Sequence, residues 1–397
     1  VYLGKFPEKI LNTVDLVVLS PGVPTSLPEI KAMKEKDIKV IGEIELAWRC
    51  SKGEVLAITG TNGKTTSTTL LGEIIKEYNK NTFVVGNIGI PYTKVADQST
   101  DDSAIVAEIS SFQLETIDTF HPKVSAILNV TPDHLDRHLT MENYAAVKKS
   151  ITKNQDAKDY CILNYEDKIT RKMADSILAK VIFFSSKRRL DYGAFLEDDK
   201  IIFRDKEDIV IANIKELNLL GTHNYENIMA VTAMAYVYGV PVETIRSVLL
   251  DFMGVPHRIE YIGEYKGIAY YNDSKGTNPD AAIKAVKAMN RPTVLIAGGY
   301  DKKADYKEWI DSFHGKVKEL ILLGETKEDI ARDAAKEGFD QYVFVDTFEE
   351  GVEKAIALAK EGDAVLLSPA CASWGMFNNY EERGDRFKEL VKSLNQQ

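Results

Sequence analysis

The stretch Val55-Leu-Ala-Ile-Thr-Gly-Thr-Asn-Gly-Lys-Thr-Thr66 decides the fold. Residues 55–58 are a short apolar run with strand character. Gly60 and Gly63 punctuate a tight loop, and beyond Thr65 the apolar residues Leu70, Leu71, Ile74 and Ile75 fall at helical spacing. Strand, glycine loop and helix in that order make a phosphate cradle, in which loop N–H groups and the positive end of the helix dipole face an anion. The cradle residues are Gly60, Thr61, Asn62, Gly63, Lys64, Thr65 and Thr66. Lys64 offers a point charge to β- and γ-phosphates, and Thr65 a hydroxyl to a magnesium ion. The full pattern puts glycine at position 58, where Ile58 stands, so the loop is a shorter G-x-x-G-K-T. The bland alternative is a glycine-rich turn with a solvated Lys64. The order Gly-Lys-Thr ahead of a helix favours the cradle.

A chain of 397 residues predicts two or three domains. Its net charge of −10 argues against a nucleic-acid or membrane-surface protein, without excluding a small anionic ligand. No apolar run nears the roughly 18 residues that span a bilayer, and no signal peptide is visible. Cys50, Cys161 and Cys371 lie far apart with no C-x-x-C. A reducing, cytoplasmic setting without disulfides or a zinc site is expected.

Around the loop, strands are predicted at 15–19, 39–42, 82–86, 104–109 and 124–130, with helices between them. Such alternation predicts an α/β fold with a largely parallel sheet, whose ligands gather at the carboxyl ends of the strands. Lys64, Glu108 and His134 would share that edge. Residues 161–218 carry shorter β-like runs, predicted as a small subsidiary sheet. Asn224 and Asn227, three apart, open a strongly apolar helix and face one side of it. Past Gly254-Val-Pro-His-Arg258, strands at 268–272, 293–297, 320–323, 342–345 and 364–367 predict a further Rossmann-like domain, without the G-x-G-x-x-G of a dinucleotide site. The first strands make a very small domain, and the chain opens on Val1; either that domain leans on its neighbour or, the favoured expectation, its beginning is missing. The predicted domains are 1–47, 48–254 and 255–397.

Glu108 at a strand end opposite the phosphate loop suits a metal ion, with a solvated carboxylate as the plain alternative. His134 gains interest from Asp133, Asp136 and Arg137 beside it. Lys148 reads from periodicity alone as a solvated helix lysine. Asp273-Ser-Lys275 follows a strand directly, and turn chemistry alone could explain it. Arg258 is a phosphate clamp or a surface arginine. Cys371 invites a nucleophile reading, which is rejected because no histidine partner is evident.

Taken together, Ser20-Pro21-Gly22, Gly60–Thr66, Glu108-Ile-Ser-Ser-Phe-Gln-Leu-Glu115, Asn129-Val-Thr-Pro-Asp-His-Leu-Asp136, Tyr144-Ala-Ala-Val-Lys148, His223-Asn-Tyr-Glu-Asn227, Pro256-His-Arg258, Asn272-Asp-Ser-Lys275 and Ser368-Pro-Ala-Cys-Ala-Ser-Trp374 resemble the Mur ligase family of peptidoglycan synthesis over essentially the whole chain. The last segment, with Phe377 and Arg383-Gly384, resembles the D-glutamate-adding branch. The resemblance implies an ATP-dependent amide ligase. ATP would phosphorylate the carboxylate of UDP-N-acetylmuramoyl-L-alanine, and the amine of D-glutamate would attack the acyl phosphate. It implies two Mg²⁺ sites, one on Thr65 and Glu108 and one on His134 and a carbamylated Lys148, which overturns the periodicity reading of that lysine. Lys64, Asn224, Asn227, Arg258, Asp273 and Lys275 would serve the nucleotide. Ser20, Pro21 and Gly22 would serve the UDP end, Asn87 and Ser110 the acyl end, and Thr277, Lys302, Ser373 and Tyr380 the amino acid. The family closes by swinging its third domain onto the second, and a monomer is expected.

Two departures stand out. The family's first domain begins with a strand and glycine turn that nothing here supplies, and Gly375 stands where relatives carry Asp. The alternatives are another Mur-type or folylpolyglutamate-type ligase and, from a different class, a nucleotide switch that turns over ATP without an acceptor.

Overall fold

The computed structural model describes residues 13–300 and 304–394. They belong to two compact units. One runs to Glu216 and includes His223–Leu250; the other takes Leu217–Thr222 and the chain from Asp251 onward. Among the described residues, no helix is long and apolar enough to cross a membrane.

In the first unit, strands Leu16–Leu19 and Lys39–Gly42 pair in parallel, joined by helix Pro28–Glu35. Proline opens that helix at little cost, because the first N–H of a helix is unpaired in any case. Leu19, Ile30, Met33 and Ile38 form a core too small to stand alone. Helix Glu43–Cys50 fastens it to the larger sheet. There the fully buried Glu45 accepts the N–H groups of Asp118, Thr119 and Phe120, the Thr119 hydroxyl and Arg49.

The large sheet has nine strands in the order Asp208–Asn213, Lys200–Arg204, Gly193–Glu197, Lys180–Ser185, Tyr160–Asn164, Val124–Ile127, Glu54–Thr59, Ala104–Glu108, Thr82–Gly86. From Gly193–Glu197 to Thr82–Gly86 every neighbour is parallel. Val55, Leu56, Ala57 and Ile58 are all buried, as an inner strand covered on both faces requires. The short β runs predicted as a subsidiary sheet are instead part of this one: Lys180–Ser185 and Gly193–Glu197 continue it in parallel, and Lys200–Arg204 and Asp208–Asn213 close it as an antiparallel end. The run 124–130 stops pairing at Ile127 and continues as the loop that carries Asn129 and His134.

In the second unit six strands run in the order Glu260–Tyr265, Ile268–Asn272, Ala364–Leu367, Thr293–Gly299, Val317–Gly324, Tyr342–Phe344. The first is an antiparallel edge strand absent from the sequence reading. Its pattern, Glu-Tyr-Ile-Gly-Glu-Tyr, is broken by a register shift between Tyr261 and Gly263, so it lacks clean alternation. The other five are parallel and place Asp273, Ser368, Gly298 and Gly299 at one edge.

Candidate functional site

The loop after strand Glu54–Thr59 is held from beneath. Thr61 N–H donates to Asn129 O (2.9 Å), Asn62 N–H to Asn129 Oδ1 (2.8 Å), and Asn129 Nδ2 back to Asn62 O (3.1 Å). The Thr61 hydroxyl lies 3.2 Å from Tyr144 OH and donates to Thr131 O. Gly63 is left-handed (φ 84°), and a Cβ there would fall 2.2 Å from Asn227 Oδ1, so only glycine fits. Helix Lys64–Tyr78 starts with no side-chain cap and no acidic residue in its first turn. Its leading N–H groups therefore keep their affinity for an anion. Lys64 Nζ donates to Gly60 O and Thr61 O, both at 2.9 Å.

Lys148 sits on helix Met141–Lys149, which Thr140 caps. It is 1% exposed. Its Nζ donates to Gly60 O at 2.8 Å and lies 4.5 Å from the Tyr144 ring centroid. Burial, reinforced by the Lys64 charge and partly opposed by Asp133, brings its pKa down to about 7. The lysine that periodicity placed in solvent is thus inside, half neutral at neutral pH, against the phosphate loop.

Glu108 ends strand Ala104–Glu108 and is buried. Its Oε1 accepts Asn87 Nδ2 at 2.8 Å, and the Asn87 N–H donates to the Glu108 carbonyl at 2.8 Å. Its other oxygen, Oε2, is buried with no partner. Ser110 caps the next helix in a closed box with Gln113, so its hydroxyl is already committed. His134 takes a left-handed backbone (φ 50°), with Nε2 3.5 Å from Asp133 Oδ2 and its ring 4.9 Å from Phe112. At Ser20–Gly22 the Val23 N–H closes a turn on Ser20 O (3.0 Å). Asn224 and Asn227 are buried side by side, with Asn227 Nδ2 donating to Asn224 Oδ1 at 3.4 Å.

The residues missed by sequence reasoning lie around this edge. His138 is buried between Phe112 and Tyr144, with Nε2 3.0 Å from Ser111 Oγ; burial lowers its pKa. Asp167 caps helix Lys168–Met173 and accepts the Val130 N–H at 2.6 Å. His138 follows His134 by four residues, a spacing that could have flagged it.

In the second unit, Asp273 accepts Ser368 Oγ (2.8 Å) and the Ile259 N–H (3.2 Å). Burial pushes its carboxyl up to about 7, against the pull of Ser368 and Arg258. Arg258 is exposed between two left-handed residues, His257 (φ 63°) and Ile259 (φ 46°), a strain typical of working loops. Lys275 Nζ lies 5.3 Å above the Tyr380 ring, and the Thr277 N–H donates to Lys275 O. Burial, aided by Glu381, pushes the Tyr380 phenol up to about 12. The buried Arg383 donates to Ser274 Oγ (2.9 Å), Ser274 O (2.8 Å) and Cys371 O (3.3 Å), joining the 273–275 loop to the segment bearing Ser373. Cys371 packs its sulfur 3.2 Å from Tyr306 OH and 3.3 Å from Thr326 Oγ1, a structural setting. Gly375 is left-handed (φ 88°), a conformation glycine adopts without strain. Lys302 lies outside the described residues.

A parallel sheet carrying a glycine loop, an uncapped helix start and a buried acid at the next strand end defines a phosphate-loop nucleotide protein. Comparison narrows this. Sequence models match for the Mur ligase middle domain at 58–235, the Mur ligase glutamate ligase domain at 257–371, and the MurD-like N-terminal domain at 1–42. The UDP-N-acetylmuramoylalanine–D-glutamate ligase of Lachnoclostridium phytofermentans is 54% identical over 99% of this chain and 87% of its own. That of Lachnospira eligens is 51% identical over 99% and 88%. Among solved structures, the UDP-N-acetylmuramate-alanine ligase of Thermotoga maritima aligns with TM-score 0.63 at 19% identity, over 96% of this chain and 86% of that one. The MurF ligase of Thermotoga maritima in complex with ADP aligns with TM-score 0.58 at 15% identity, over 97% and 98%. The chain belongs to the Mur ligase family, as its motifs implied.

Proposed function

We propose that this chain joins D-glutamate to UDP-N-acetylmuramoyl-L-alanine at the expense of ATP, in peptidoglycan precursor synthesis. The observation that carries this reading is identity of about one half, over almost its full length, to ligases of that name. In the first step the substrate carboxylate takes the γ-phosphoryl group of ATP and ADP leaves. In the second the D-glutamate amine attacks the acyl carbon, an amide forms, phosphate departs and the amine sheds a proton. Both steps bring anions together, so positioning and charge neutralisation dominate.

The residues of the first unit fit magnesium. Glu108 Oε2 is a buried oxygen without a protein partner, at the end of the strand that pairs beside the one leading into the helix that presents Thr65. Among the described residues no cluster of three His, Cys, Asp or Glu side chains could hold a metal unaided. That suits Mg²⁺, which retains waters and takes phosphate oxygens. Thr65 and Glu108 would hold one ion; His134 and Lys148, carbamylated on its depressed amine, would hold a second. Bound there, magnesium neutralises phosphate charge. Lys64 would turn from the loop carbonyls to the β- and γ-phosphates. Asn224, Asn227, Arg258, Asp273 and Lys275 are assigned to ATP, and Asn87 and Ser110 to the acyl end. Ser20, Pro21 and Gly22 are assigned to the UDP end, and Thr277, Lys302, Ser373 and Tyr380 to the amino acid. The domains would run 1–47, 48–254 and 255–397, in a cytoplasmic monomer.

The test is phosphate release with ATP and Mg²⁺, with each substrate omitted in turn. Release that needs both UDP-N-acetylmuramoyl-L-alanine and D-glutamate, and vanishes in Lys64→Ala, is expected. Release indifferent to both overturns the ligase reading in favour of a nucleotide switch.

A further inference from the structure

We infer that Arg137 is a positioning residue that relays the seating of the substrate's uridine end, at the 20–23 turn, to the loop carrying His134; this rests on the function proposed above. Arg137 is one of four residues in the single-turn helix Leu135–His138. Its N–H bonds the His134 carbonyl at 3.1 Å, so the two move together. Its side chain reaches three other places. Nη2 donates to Val23 O at 3.1 Å, a residue 114 positions away, and to Glu115 Oε2 at 2.7 Å. Nε donates to Glu115 Oε1 at 3.2 Å. The guanidinium lies 4.9 Å over the Phe112 ring, and the His134 ring lies 4.9 Å from that same ring. Arg137 and Glu115 are 15% and 13% exposed, so the pair is largely shielded from solvent.

The carbonyl that Arg137 grips is that of Val23, whose N–H closes the turn on Ser20 O. The turn is short and sits over little core, so a ligand can shift it. The planar fork of Arg137 is already fixed by Glu115 at two points, so a displaced Val23 must carry the fork with it or lose the bond. The receiving end is poised. His134 (φ 50°) and Leu139 (φ 68°) are left-handed at either end of the one-turn helix, and Leu139 is 75% exposed. Burial of Leu139 does not offset that strain, so contacts such as Arg137's hold the segment in place. Lysine could satisfy Val23 or Glu115 but not the whole fork.

Steady-state ligation by the full chain tests this, with UDP-N-acetylmuramoyl-L-alanine and with the sugar 1-phosphate that lacks uridine monophosphate. If binding at the turn is used at the reacting end, wild-type kcat falls about tenfold on the truncated substrate. In Arg137→Lys, kcat on the full substrate should already sit near that lower value, truncation should change it by less than about twofold, and KM for ATP should be unchanged. Glu115→Gln, which leaves the fork an acceptor, should fall between. An Arg137→Lys enzyme that still loses about tenfold on truncation shows Arg137 to be a mere staple and overturns the relay. A wild type with equal kcat on both substrates removes the turn from the reaction, and the relay with it. A wild type that ligates neither overturns the ligase reading itself.

Discussion

Replacing Lys148 by Met should separate stability from activity. The amine is buried, with one carbonyl acceptor and a tyrosine ring, and its pKa falls from 10.5 to about 7. At 1.36 kcal/mol per unit, a gap of between three and four units penalises the charged form by roughly 5 kcal/mol. The sign follows from proton counting. Below pH 7 the amine is protonated in both states and the full penalty applies. Above pH 7 the folded protein sheds the proton while the unfolded chain keeps it until about pH 10.5, so stability rises with pH. Between pH 7 and pH 9 wild type should gain roughly 2 kcal/mol more than Lys148→Met, whose thioether has no charge to desolvate. Urea unfolding followed by circular dichroism reads this in CO₂-free buffer, since a carbamate would reverse the charge. The wild-type-minus-variant difference cancels the unchanged second unit. Activity should go the other way: the variant is inactive and bicarbonate does not restore it, whereas bicarbonate restores CO₂-depleted wild type. Identical pH dependence of stability in the two proteins would refute the depressed amine.

Three further outcomes are expected. Gly63→Ala forces a left-handed alanine whose Cβ meets Asn227 Oδ1 at 2.2 Å, so KM for ATP should rise at least about tenfold, as ATP-dependence of phosphate release would show. Glu108→Gln keeps an oxygen for Asn87 but loses the charge beside the partnerless site, so kcat should fall by about 10²-fold with a higher Mg²⁺ requirement, read by metal titration. For Glu45, burial pushes the carboxyl up, but bonds from Thr119, Asp118 and Arg49 outweigh it and hold it at about 2. Its folded pKa lies below the unfolded 4.5, so roughly 3 kcal/mol of stability is present above pH 4.5 and lost as pH falls toward 2. Glu45→Gln should therefore unfold more readily at pH 7 and lose less on acidification, as thermal unfolding at the two pH values would show.

How far the sequence disclosed this site depends on the range of the forces involved. The phosphate loop was legible because its causes are local: an apolar strand, glycines where the backbone must turn, and helical spacing from Leu70 onward. Glu108 was legible for the same reason, since a strand end is set by its own residues. Lys148 was not. Its burial is set by segments distant in the chain, among them the phosphate loop, whose Gly60 carbonyl 88 positions earlier accepts its amine. Periodicity weighs a lysine by its neighbours in the chain, and resemblance alone reassigned it. The β character of 161–218 was legible in runs such as Val181–Phe184 and Lys200–Phe203, but whether such runs stand apart or extend the central sheet is decided by edge pairing such as Phe183 against Gly193. Edge pairing leaves little trace in a strand's own pattern, and strand Glu260–Tyr265 escaped notice for that reason. Arg137 shows the limit most plainly. Within Leu-Asp-Arg-His it is an ordinary solvated cation, and only the fold brings Val23, Phe112 and Glu115 to its guanidinium. Residues whose work lies in joining distant segments carry no local signature, and they are where a structure adds most to a motif.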